Sequence, residues 1–127
     1  MSESLQIGDI VRAPYKTGVY IGEITNVRPE HYLVKVKAVL KHPTQGDLHN
    51  PKQVGMGFFH ERKALAEHEQ TNILKGMVKS YEGSIPDYKS SLSHALQTLR
   101  SDLENDPSEW AALCLEKIET LEKEYQV

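Results

Sequence analysis

The sequence predicts an α+β protein: a small antiparallel SH3-like β-barrel or bent sheet over residues 1–83, then a C-terminal helical hairpin over residues 84–127. Three observations carry this expectation. Apolar and polar side chains alternate through "HYLVKVKAVL", the pattern of a half-buried antiparallel strand. From Tyr88 onward the apolar positions recur at helical spacing instead. Between short apolar runs, the first part of the chain is rich in Gly and turn residues, which favours strands folding back on one another into a small barrel or strongly bent sheet.

Taken in order, "IGDIVRA" and "GVYIGEITNV" are β-rich and separated by "PYKTG", with Pro14 and Gly18 as turn residues. Gly22, inside the second run, marks a bulge or tight bend. In the third strand Tyr32, Val34, Val36, Ala38 and Leu40 share one face, with Lys35 and Lys37 on the other. "VGMGFF" and "GMVKSY" are candidate fourth and fifth strands. In the tail, Tyr88, Leu92, Ala95, Leu96, Leu99 and Leu103 form one helical stripe. "NDPSEW" then supplies Asp106 as N-cap, Pro107 at the first helical position and Glu109 as capping-box partner. Trp110, Leu113, Cys114, Ile118, Leu121 and Tyr125 mark the second stripe. Two helices bury too little against each other to stand alone, so the hairpin is expected to pack on the sheet body or on a second chain, with a homodimer as the latter case.

The 127 residues are 39% hydrophobic and 26% charged, as in a globular chain with its own core. The net charge of −3 is divided unevenly. Residues 1–80 carry 11 Lys and Arg against 8 Asp and Glu, and residues 81–127 carry 4 against 10. No secretory signal is visible in "MSESLQIGD", and no apolar run approaches a membrane span, so a cytoplasmic location is expected. One Cys excludes an intramolecular disulfide and any multi-Cys zinc site.

Five of the six His lie between His31 and His68, which raises a metal or acid–base site. "HERKA" begins like H-E-x-x-H, but Ala64 stands where the second ligand should be. No nucleophile elbow is present, Cys114 sits on an apolar helical stripe where a thiol is inert, and "VGMGFF" holds only G-x-G with no phosphate loop. The chain is therefore not expected to be an enzyme, and no metal or cofactor is assigned. Nucleic acid is the alternative partner, since small barrels bind RNA and Lys35, Lys37, Tyr32 and His31 could form a basic strand face. The modest charge of the body argues against a strong phosphate footprint.

Three segments are long and specific: "GDIVRAPYKTGVYIGEITNVRPEHYLVKVKAVLKHPTQGDLHNPKQ", "FFHERKALAEHEQTNI" and "MVKSYEGSIPDYKSSL". On these the chain resembles the kinase-associated protein B family of spore-forming bacilli. The resemblance implies an antiparallel β unit extended by helix, and a non-catalytic accessory factor that lets a membrane sensor histidine kinase feed phosphate into the sporulation phosphorelay. It carries no catalytic residue over to this sequence. Members are sometimes called lipoproteins, but the only Cys here is at position 114, so membrane association is expected through the kinase. The two prolines of "LKHPTQGDLHNPKQ" make it a rigid recognition loop, with His42, Gln45, Asp47, His49 and Arg62 as the expected partner-facing residues. The opposing expectation is that these side chains tie down a long loop by capping backbone groups.

Overall fold

A computed structural model describes residues 5–45 and 62–126. Five antiparallel strands come first: β1 (Ile10–Tyr15), β2 (Gly18–Val27), β3 (His31–Lys41), β4 (Gln70–Leu74) and β5 (Lys79–Ser80). Two helices follow, α1 (Tyr88–Glu104) and α2 (Glu109–Tyr125). The strands form one sheet in the order β4-β3-β2-β1-β5. It is bent but does not close, so of the two expected architectures the bent sheet is the one adopted.

β1 and β2 are joined by a two-residue turn, Lys16–Thr17, with Tyr15 paired to Gly18. Lys16 there has a left-handed backbone (φ 51). Pro14, expected in the turn, lies inside β1 opposite Val19. It is tolerated because β5 pairs with β1 only at Val11 and Arg12, leaving β1 a single neighbour at Pro14.

Gly22 does mark a bulge. The β2–β3 register shifts between Ile21 and Gly22, and a Cβ on Gly22 would lie 2.5 Å from Val34 Cγ1 and 2.7 Å from the Lys35 carbonyl oxygen. The alternation of β3 holds from Tyr32 to Ala38 and then inverts, so that Val39 is buried and Leu40 exposed. A second register shift is the cause. Val19 pairs with Lys41 and Tyr20 with Val39, which leaves Leu40 without a cross-strand partner.

The fourth strand is "QTNIL", which the sequence pattern did not mark; "VGMGFF" lies outside the described residues. "GMVKSY" is a strand only at Lys79–Ser80, because Gly76 and Met77 belong to a 3₁₀ turn (Lys75–Met77).

The apolar side chains form two clusters. Val11, Ala13, Ile24, Tyr32, Val34, Ile73 and Val78 fill the curl of the sheet. Tyr20, Val36 and Val39 instead meet Leu92, Ala95 and Leu96 of α1 and Trp110, Ala111, Cys114 and Ile118 of α2. The hairpin stripe is thus covered within the chain, and Trp110 is a core residue. Asp87 caps α1, accepting from the Ser90 N–H. The cap of α2 is Ser108, whose Oγ accepts from the Ala111 N–H, two residues beyond the expected Asp106. Asp106 instead accepts from the Ser108 N–H and shapes the turn before the cap.

Candidate functional site

The recognition loop expected from the sequence enters at His42 and Gln45 and returns at Arg62. Both entry side chains point inward: His42 is 1% exposed and Gln45 3%. The Gln45 amide acts as a short ladder. Its Oε1 accepts from the Arg62 N–H (2.8 Å), and its Nε2 donates to the Arg62 carbonyl (2.9 Å) and the Pro43 carbonyl (3.1 Å). Of the residues expected to face a partner, these two are corrected to the interior, because they satisfy backbone groups of Pro43 and Arg62. Arg62 is half-buried and has its backbone held by Gln45. Asp47 and His49 lie outside the described residues.

Residues 62–65 form an irregular strap across the junction of sheet and helices, pinned by three tyrosine hydroxyls. The Ala64 N–H donates to Tyr125 Oη (2.9 Å), the Leu65 N–H donates to Tyr20 Oη (3.1 Å), and Tyr88 Oη donates to the Leu65 carbonyl (2.5 Å). The three tyrosines come from β2, α1 and α2, so the strap joins all three parts of the fold. Burial raises the Tyr20 and Tyr88 phenols above the ordinary tyrosine range, which keeps both hydroxyls protonated.

His42 joins the same network. Its Nδ1 lies 3.0 Å from the Pro43 carbonyl and its Nε2 3.1 Å from Tyr125 Oη. A carbonyl only accepts, so Nδ1 carries the proton. Burial lowers the pKa of the ring to about 4, against the opposing pull of the Pro43 carbonyl. The ring is therefore neutral near pH 7, its Nε2 is bare, and the Tyr125 O–H donates to it while accepting from Ala64. The pattern is complete: every fully buried side-chain nitrogen and oxygen among the described residues has a partner.

Sequence reasoning picked out the His and Gln of this cluster and missed the tyrosines. The available signal was that Tyr20, Tyr88 and Tyr125 occupy apolar stripes, where a hydroxyl implies a buried partner. The basic strand face proposed for nucleic acid is not assembled as expected. Tyr32 is buried in the sheet cluster, and Lys37 lies 3.4 Å from Glu23 in an ion pair.

Beside the strap, a groove of about 260 Å³ opens between it and the β1–β2 turn. Tyr15, Lys16, Thr17, Tyr20 and Pro43 line one side, and Arg62, Lys63 and Leu65 the other. The Thr44 N–H donates to Thr17 Oγ1 (2.8 Å), bracing the turn against the loop base. A Cβ on Gly18 would stand 2.6 Å from Tyr20 Oη, so the absence of a side chain there leaves the hydroxyl room to reach Leu65.

Residues 15–126, which include every element that builds the strap and groove, match the family model described as kinase associated protein B. The chain belongs to the kinase-associated protein B family. It is 61% identical over 122 residues to the kinase-associated lipoprotein B of Bacillus subtilis (strain 168), covering 96% of this chain and 95% of that protein. It also superposes on the crystal structure of kinase-associated protein B from Bacillus cereus with a TM-score of 0.84 at 48% identity, over 98% of this chain and all of that one. The open five-stranded sheet with two C-terminal helices is thus the fold of this kinase-associated protein B homologue and of that structure alike.

Within this family member, Cys114 is buried among the helices, and burial pushes its thiol up to about 12, so it is neither nucleophilic nor placed to carry a lipid. No described helix is long and apolar enough to cross a membrane. Among the described residues no group of three His, Cys, Asp or Glu side chains is arranged to hold a metal ion.

Proposed function

We propose that this protein is a non-catalytic accessory factor that binds the cytoplasmic part of a sporulation sensor histidine kinase and supports phosphate entry into the phosphorelay. Membership of the kinase-associated protein B family is the observation that carries this reading. Two of the side chains that could do chemistry are used structurally: His42 is pinned between Pro43 and Tyr125, and Cys114 is packed in the core. What the described residues offer is a frame in which the Gln45 amide ties Pro43 to Arg62. The protein works in the cytoplasm and reaches the membrane through the kinase. Its partner-facing surface includes the loop residues Asp47 and His49 and the side chain of Arg62.

The test is phosphoryl transfer from the purified kinase to its first receiver domain, followed with labelled ATP in the presence and absence of this protein. A several-fold faster or more complete transfer, saturating with added protein, supports the reading. Identical transfer with and without it contradicts the reading.

A further inference from the structure

The groove beside the strap combines apolar walls with basic side chains. Lys16, Arg62 and Lys63 line it, no carboxylate among the described residues does, and its walls are the rings and aliphatic parts of Tyr15, Tyr20, Pro43 and Leu65. Part of the groove wall is held in place before any ligand arrives. Lys16 is presented by a two-residue turn braced through Thr17, and Tyr20 is held by the strap. A preformed groove spends little conformational entropy on binding. The Lys63 Nζ lies 3.1 Å from a Glu124 carboxylate oxygen, but both side chains are substantially exposed. Such a pair contributes little and exchanges readily for another carboxylate.

We propose that this groove is a docking site for an acidic segment of a partner protein, with carboxylates flanking an apolar or aromatic side chain. The apolar side chain enters between Tyr15, Tyr20 and Leu65, and the carboxylates meet Lys16 and Lys63. A membrane surface is the poorer fit, because the cations line a concave cleft sized for one or two side chains rather than a broad convex face. Taking the segment to belong to the kinase rests on the function proposed above; the groove's preference for acidic peptide does not.

The experiment uses the full chain and a fluorescein-labelled hexapeptide, Glu-Glu-Leu-Tyr-Glu-Glu, with Gln-Gln-Leu-Tyr-Gln-Gln as control. The acidic peptide is expected to bind at least tenfold more tightly, with amide NMR shifts concentrated at residues 15–17 and 62–65. The double variant Lys16→Glu with Lys63→Gln is expected to weaken it tenfold or more with an unchanged melting curve. Equal affinity for the two peptides, shifts that map elsewhere, or a preference for phosphatidylserine vesicles over the peptide overturns the assignment. The kinase supplies the separating arm. Undiminished kinase binding by the double variant removes the groove from the kinase interface, whereas peptide binding by a protein that ignores the kinase sustains the groove and sinks the kinase reading.

Discussion

His42 and Tyr125 lie 83 residues apart in sequence and meet through one hydrogen bond, with the rings edge-on at 5.9 Å between centroids. Tyr125→Phe leaves both His42 Nε2 and the Ala64 N–H without their partner, a loss of about 2 kcal/mol. Thermal denaturation should show a drop of several degrees, and His42→Ala should cost less in that background than alone, as coupled residues do. The ring also sets a pH dependence. Its folded pKa of about 4 lies below the unfolded value of 6.5, so the unfolded chain binds the extra proton first. His42 thus contributes fully above about pH 6.5, and the contribution falls by about 3 kcal/mol as pH drops through the window to about 4. Urea denaturation across that window should find a steeper decline for the natural protein than for His42→Gln. Equal slopes would refute a buried neutral imidazole. The sequence made His42 and Gln45 conspicuous but not their direction. In a Pro-rich loop both look like surface residues, and the groups that bury them arrive from residues 62–65 and from the last turn of α2.

Between elements, the joints depend on small residues. The Ser91 Oγ of α1 accepts from the Val39 N–H of β3 (3.0 Å) and donates to the Tyr88 carbonyl (2.7 Å). The Leu40 register shift inverts β3 at this point, turning Val39 toward the helices. Ser91→Ala should cost about 1–3 kcal/mol by leaving that buried N–H unpaired, while Ser91→Thr, if its methyl fits, should recover part of it. Gly22→Ala should destabilise by about 1–3 kcal/mol or more, since its Cβ meets backbone that cannot rotate away. At the start of α2, Ser108→Ala should cost about 1 kcal/mol of unfolding free energy. Asp106→Ala removes a turn contact and leaves this cap in place. The Gly22 bulge was legible because a lone glycine in a β-rich run has few other uses. The cap was misplaced because Asp106-Pro107 is as good a helix start locally as Ser108-Glu109. β4 escaped notice because five residues with a single fully buried side chain, Ile73, make too short a pattern to see.

At the scale of the whole molecule, the change of period near residue 84 was enough to divide sheet from hairpin, because alternation and helical spacing are both driven by one buried face. The choice between a barrel and an open bent sheet was not readable, since it depends on whether the outer strands meet across the curl. Nor was the place of the hairpin, because its stripe fits β3 or a second chain equally well until Val36 and Val39 are seen to face it. The resulting frame joins sheet and helices through one strap, and the proposed function requires a direct complex with a kinase. The measurement that tests this is a calorimetric titration of the protein into the cytoplasmic region of the proposed sensor histidine kinase, at two salt concentrations and with unrelated RNA as competitor. Saturable binding that RNA does not displace is expected. No heat with the kinase, together with salt-sensitive binding to the RNA, would contradict it and make this family member a nucleic-acid binder instead.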